Sequence, residues 1–387
     1  MPSRAGLVRL ALGLGLVVTG CSEPSGTNPV RTAPATTPAA AMSESPTERL
    51  TTEQLTTEGP TTERPTTEQP TTQQPTTQEA DGEVSIAFVG DVMLGRSIGD
   101  RILAGTDPFA GVTAELTSAD VVVGTLETTV GDGGQAEDKA YTFQAPPEAV
   151  EVLLQAGFDL VALANNHTYD YGAEGITGTI ELLDAASLAH VGAGADAEAA
   201  RRPVVLTTDG VDTAFLSYVD VPDDWTGYRN RDWEARDRPG VAWAHPDDIA
   251  ADVREIRPDV DHVVVLLHAG IEGSTEPSAV QRAAADAALG AGATAVIGGH
   301  PHVLQGYRHE DGRFTAWSLG NFVFDGFGDD HAAQRSAILT MTLDEDRVTG
   351  IVWTPVAVTD GLPIALDPGS EEGRSVLDHL EALPPQR

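Results

Sequence analysis

Thr294-Ala-Val-Ile-Gly-Gly-His-Pro-His302 is an apolar run that reads as a buried strand, opens into two glycines and then presents two histidines one residue apart. Residues i and i+2 of an extended chain point the same way, so His300 and His302 can reach one site, or two adjacent metal ions, from a short loop. Gly298 and Gly299 remove side chains where the backbone is expected to turn. In isolation, such a pair is more often a polar strand end than a ligand pair. The neighbouring segments decide between the two readings.

Working outward, further buried-strand patterns occupy residues 84–89, 121–126, 160–164 and 263–267, each running into a polar or glycine-containing loop. Between them, residues 147–156, 174–186, 246–254 and 277–289 have helical spacing, several with proline near the first turn. Such alternation predicts an α/β layered fold with ligands at the C-terminal ends of strands. After Phe314 the pattern shifts to paired strands over 314–318, 336–343 and 348–356. Asp344-Glu345-Asp346 is the expected turn of the last pair, and a short helix over 375–383 closes the chain.

Five of these strands finish in a good metal ligand or beside one. Phe88-Val-Gly-Asp91 ends in an aspartate, Gly124-Thr-Leu-Glu127 in a glutamate, and Ala164-Asn-Asn-His167 in an amide and an imidazole; Leu266-Leu-His268 and Gly299-His-Pro-His302 complete the set. Each alone has an ordinary explanation as a capping or turn residue. Their recurrence at successive strand ends favours a mixed nitrogen and oxygen site for one or two divalent ions, Mn, Zn or Fe. The other histidines, His190, His245, His262, His309, His331 and His379, have no such setting and are assigned to the surface or to local packing.

The blocks VGDVMLGR (89–96), GTLET (124–128), LANNHTYDYG (163–172), HAGIE (268–272), GGHPHVLQG (298–306) and SLGNFVFD (318–325) carry a family resemblance. In this order and spacing the chain resembles the CapA family of bacterial capsule and poly-γ-glutamate synthesis proteins, over about residues 84–357. The resemblance implies a four-layer α/β/β/α sandwich of the calcineurin-like metallophosphatase type with a two-metal cleft. By motif it places Asp91 and His302 on one ion, Asn166, His268 and His300 on the other, and Glu127 as the bridge. His167 is then the general acid, with Asp170 orienting its ring. Paired ions of this kind make hydrolysis the default chemistry.

The chain departs from the metallophosphatase pattern where Met93 stands two residues after Asp91 in place of a histidine, which leaves the first site one ligand short. Glu127 is one methylene longer than the usual aspartate. The stretch His268-Ala-Gly-Ile-Glu272 lacks the tryptophan frequent in relatives. Arg96 is a candidate to receive an anionic substrate, against the plain reading of a surface arginine. Glu272 is a candidate to support His268 or to contact substrate, against simple exposure. Asn321 is expected to stabilise backbone in a tight turn, with Phe322 and Phe324 packing. Trp225, Trp233 and Trp243 lie in or near a polar insertion between Asp220 and Gly240; a substrate lid and partly buried tryptophans under a long loop are both open, the latter being commoner.

At the other end, Arg4 and Arg9 precede a short apolar run, 10–18, that leads into Val18-Thr19-Gly20-Cys21. This layout reads as a secretory signal closed by a lipobox, with Cys21, the only cysteine, as the lipidated residue after cleavage. The expected location is the extracellular face of the cell membrane, held by acyl chains. Residues 22–82 are almost devoid of apolar side chains and repeat T-T-E-x-x from Thr51 on, which predicts an extended, solvated stalk before a domain spanning 83–387. The formal net charge of −36 and the single lysine, Lys139, exclude a nucleic-acid partner.

Three functions fit these observations: a metal-dependent hydrolase of a phosphoester or amide-linked substrate; a component of poly-γ-glutamate or capsule assembly that handles anionic polymer beside membrane synthase components; and a surface module with a vestigial, non-catalytic site. Retention of the Asn166-His167 pair counts against the third.

Overall fold

A computed structural model of the chain divides it into residues 1–74 and 75–387. Residues 82–383, apart from 329 and 345, are described by the structure. The expected leader, Cys21 and the T-T-E-x-x repeats lie outside the described residues. Among those described, no helix is long and apolar enough to cross a membrane.

The strands of the two large sheets are β1 (Val84–Val92), β2 (Val121–Leu126), β3 (Leu160–Ala162), β4 (Ala189–Val191), β5 (Val204–Thr208), β6 (Val211–Asp220) and β7 (His262–Ala269). They continue with β8 (Ala295–Gly299), β9 (Tyr307–Glu310), β10 (Arg313–Ala316), β11 (Asn321–Val323), β12 (Arg335–Asp344), β13 (Arg347–Thr359) and β14 (Leu362–Ala365). The main helices are α1 (Arg96–Leu103), α2 (Ala149–Gln155), α3 (Gly172–Ala186), α4 (Pro246–Ile256), α5 (Ala279–Ala291) and α6 (Glu371–Ala382). One sheet has the order β14-β13-β12-β1-β2-β3-β4, with β11 also pairing β1; the other has the order β9-β10-β8-β7-β6-β5. In the first sheet β1 to β4 run parallel and β12 to β14 form an antiparallel half beside β1; in the second the central strands are parallel and the two edge pairs antiparallel.

Strand periodicity builds the layers. Along β7, Val264 and Leu266 enter an apolar core with Ile86, Phe88 and Val123 of the other sheet, so this core fills the space between the sheets. Val263, Val265 and Leu267 face the opposite way, onto Ile249 and Val253 of α4 and Ala284, Ala285 and Ala288 of α5. On the far side, Ala87 and Val122 pack with Ile98 of α1, Leu153 of α2 and Ile176 of α3. Strands buried on both faces in this way read as unbroken apolar runs. The result is the expected α/β/β/α sandwich. At the last pair Asp344 faces Arg347 across the ladder, while the expected turn Asp344-Glu345-Asp346 includes Glu345, which lies outside the described residues.

Two readings of the opening stretch need correction. Gly298 and Gly299 do not turn; they belong to β8. Their lack of a side chain serves close approach, since a Cβ on Gly298 would lie 2.0 Å from the Trp317 carbonyl oxygen and one on Gly299 2.5 Å from Asp91 Oδ1. Nor are the two histidines extended: His300 (φ 91°) and His302 (φ 58°) are both left-handed, so it is a tight turn that brings them together rather than strand alternation.

Candidate metal centre

Every expected ligand lies at or just beyond the C-terminal end of a central strand. In β1, pairing with β2 steps from Phe88↔Val123 to Asp91↔Thr125, three residues against two. This bulge turns Asp91 to the face that Phe88 occupies, between the sheets; plain alternation would have sent it to the helix side. Glu127 continues the Val123 and Thr125 side of β2, tied in by its N–H donating to the Val92 carbonyl at 2.9 Å. His268 follows Val264 and Leu266 on the inner face of β7. The turn after β8 closes onto Asp91, whose Oδ2 accepts the His300 N–H at 3.0 Å.

These side chains converge. Glu127, His268 and His300 offer ligand atoms within 4.8 Å of one another, and so do Asp91, Glu127 and His302, with Glu127 common to both groups. Asn166 Oδ1 lies 2.8 Å from His268 Nε2, which joins the amide to the first group. Glu272, exposed, forms a third group with His300 and His302. Asp91 Oδ1, both Glu127 oxygens, His268 Nδ1 and both His300 ring nitrogens are buried without a hydrogen-bond partner. Folded proteins pair the large majority of their buried polar atoms, and orphaned carboxylate and imidazole atoms gathered in one place fit a divalent cation.

The electrostatics of the bare cluster point the same way. Burial, then the charge of Asp91, push the Glu127 carboxyl well above the usual range. Burial opposes ionisation of Asp91, yet the His302 hydrogen bond and the charge of His268 hold it below its ordinary value. Burial drives His268 down to about 4, and burial together with His268 and His302 drives His300 well below the usual imidazole range. For His302 the desolvation cost is outweighed by Glu127 and Asp91, which raise it to about 9.

His167 stands beside the cluster, its Nε2 3.9 Å from Glu127 Oε1. Its Nδ1 lies 2.6 Å from Asp170 Oδ2, which fixes Nδ1 as the protonated nitrogen and leaves Nε2 facing the site. Burial holds this imidazole down to about 4; Asp170 opposes that and Lys139 reinforces it. Phe143 stacks on the ring at a centroid distance of 4.0 Å, and its N–H donates to Asp170 Oδ2 at 2.6 Å.

Sequence reasoning gave Lys139 no part in the site. Its side chain is only 4% exposed, and its Nζ donates to Asp170 Oδ1 at 2.7 Å and to the Asn166 carbonyl at 2.5 Å, under the rings of Tyr169 and Tyr228. One ammonium thus ties the residue that orients His167 to the backbone of Asn166. The available signal was that the chain's single lysine occurs at all. Asn165, also passed over, accepts the His167 N–H at 2.9 Å and donates to the Leu126 carbonyl at 2.8 Å, clamping the two strand ends together.

Arg96 lies apart from the ligand groups, its Nε 3.2 Å from Asp325 Oδ1 and its guanidinium 5.6 Å from the Phe143 ring centroid. Met93 is buried in the core of the helix side, and its Sδ accepts the Gly95 N–H at 3.2 Å. Asn321 does more than hold backbone. Its Oδ1 lies 2.9 Å from His302 Nδ1 and its amide donates to the carbonyls of His302 and Ala333, leaving His302 Nε2 towards Glu127 at 3.8 Å. The tryptophans divide: Trp233 and Trp243 are buried in the core, whereas Trp225 is 82% exposed. Trp225 lines a cavity of about 250 Å³ together with Asn166, His167, His300, Lys139, Tyr141 and Glu272.

Residues 85–326 match the family model described as bacterial capsule synthesis protein PGA_cap. The chain is 32% identical over 292 residues to a capsule biosynthesis protein CapA of Bacillus anthracis, covering 73% of this chain and 69% of that protein. It is 30% identical over 308 residues to a PGA biosynthesis protein CapA of Bacillus subtilis strain 168, covering 78% of each. Among solved structures it is similar to the calcineurin-like phosphoesterase YfkN from Bacillus subtilis at 14% identity and a TM-score of 0.43, over 78% of this chain and 98% of that one.

Proposed function

Because the chain belongs to the bacterial capsule synthesis protein family PGA_cap, we propose that it takes part in making or exporting a capsule polymer of the poly-γ-glutamate type, through a metal-dependent, hydrolase-like site. The observation that carries the chemical half of this reading is the pair of ligand groups sharing Glu127, with their orphaned buried atoms, directly beside an oriented imidazole. Asp91, Glu127 and His302 are proposed to hold one divalent ion, and Glu127, Asn166, His268 and His300 the other. When bound, such ions supply Lewis acidity towards a carbonyl or phosphoryl oxygen.

The chain's own residues handle the proton. With Nδ1–H committed to Asp170, His167 presents an unprotonated Nε2 to the site. In this role Nε2 takes the proton released by the attacking group and returns it to the leaving group, the function expected of a general acid once charged. Asp170 stabilises the imidazolium that forms meanwhile, while Phe143 holds the ring plane. Lys139 holds the Asp170 carboxylate in place through their ion pair. We propose that a lipid on Cys21 holds the protein at the extracellular face of the cell membrane.

The test is metal analysis and polymer cleavage by the full-length chain. His300→Ala should lose bound metal, and His167→Ala should keep it while turnover of a γ-glutamyl polymer falls by a factor on the order of 10². A reconstituted protein without metal, indistinguishable from His300→Ala, would remove the site from the reading.

A further inference from the structure

The cavity beside His167 and His300 has an entrance of unusual make-up. Three of its lining residues are large apolar side chains left in solvent: Trp225, Tyr141 (61% exposed) and Ile271 (59% exposed). Its charged lining consists of Lys139, Asp223, Asp224 and Glu272. Lys139 is spent, its ammonium held by Asp170 and the Asn166 carbonyl. Asp224 is spent as well, accepting the N–H groups of Ala140, Thr226 and Tyr228. Asp223 and Glu272 remain, both exposed and without an ion-pair partner among the described residues. Arg96, the cation expected to meet an anion, is paired to Asp325 and does not line this cavity. At the inner end, His300 is buried and both its ring nitrogens lack partners, so the cavity leads from carboxylates and π faces directly to the ligand cluster.

Two carboxylates and two exposed aromatic rings, with no free cation, disfavour a run of carboxylates and suit an ammonium group, which gains both Coulomb and cation–π attraction. We infer that the entrance formed by Asp223, Glu272, Trp225 and Tyr141 binds a primary ammonium, and that in the polymer this is the chain's amino end. The second half of the inference rests on the function proposed above. In a γ-linked glutamate chain every internal nitrogen is an amide and every residue keeps a carboxylate, so the amino terminus is the one cation. Its capture would set the first amide bonds of the chain near the ligand cluster, making the site one that acts on polymer ends.

Binding by the full-length chain in detergent tests this, by titration calorimetry with γ-glutamyl-glutamate, its N-acetyl form and n-butylammonium chloride as probes. The free-amine dipeptide should bind at least about tenfold tighter than the N-acetyl form. Asp223→Asn and Trp225→Ala should each erase most of that difference while leaving Mn²⁺ affinity unchanged, since neither residue is among the proposed ligands. Equal or tighter binding of the N-acetyl form would overturn the inference, as would failure of all three probes to bind. Binding of n-butylammonium, lost in Asp223→Asn, with neither dipeptide bound would uphold the ammonium site and sink the polymer reading instead.

Discussion

Lys139 is where a single side chain carries most consequence. Its Nζ and the Asp170 carboxylate are both buried and 2.7 Å apart, so deleting either leaves the other as an uncompensated charge. Lys139→Met is therefore expected to destabilise the domain by about 3 kcal/mol. Pairing it with Asp170→Asn should recover much of that loss, because the orphaned charge is then gone. Urea unfolding of the two variants measures this, and a loss under about 1 kcal/mol in Lys139→Met would mean that the pair is solvated after all. The same substitution frees the Asn166 carbonyl, so Mn²⁺ affinity should weaken alongside stability. None of this was legible in the sequence, where a lysine distant from every block shows no partner. By contrast Asp91, Glu127, Asn166, His268, His300 and His302 were legible as a group, because burial on both faces makes the strands apolar and leaves any polar residue at their ends conspicuous.

At the level of elements, β8 and its turn show why some of the site could be read and some could not. The apolar run and the H-P-H were visible; the role of the glycines was not, because close approach to another strand's side chain leaves no local pattern. Gly299 sits so near Asp91 Oδ1 that an added methyl must displace the carboxylate. Asp91 Oδ2 in turn accepts the His300 N–H and lies 3.3 Å from His302 Nδ1, so the displacement passes into the turn. Gly299→Ala should lower Mn²⁺ affinity at least about tenfold, on the scale of losing a ligand's support, while secondary structure by circular dichroism stays unchanged. Affinity equal to that of the parent would show the turn to be pliable. The bulge in β1 escaped the sequence for a similar reason, since a register shift depends on what β2 presents opposite. The strand was predicted correctly, but its alternation alone sends Asp91 to the wrong face.

For the whole molecule, the acidic balance and the lone cysteine were plain from composition, and they lead to two measurements. Cys21→Ser should move the protein from the membrane fraction to the soluble one, and unchanged retention would sink the anchor. The second concerns pH. In metal-stripped protein, burial holds His167, His262 and His268 down to about 4 against an unfolded value near 6.5. Between those limits the unfolded chain binds more protons, so stability rises with pH and is lost as pH falls from 6.5 towards 4. His302, raised to about 9 by Glu127 and Asp91, works the other way: its contribution is complete below 6.5 and disappears as pH climbs to 9. Thermal midpoints in a chelator should therefore peak near pH 6.5 and decline on both sides. Divalent ions bind the neutral imidazole, so saturating Mn²⁺ should abolish the decline on the alkaline side and stabilise more at pH 8 than at pH 6. A midpoint that rises steadily to pH 9 in chelator would mean that His302 does not share its proton with Asp91 and Glu127 in the folded chain, and the proposed first ion site would lose its charge balance.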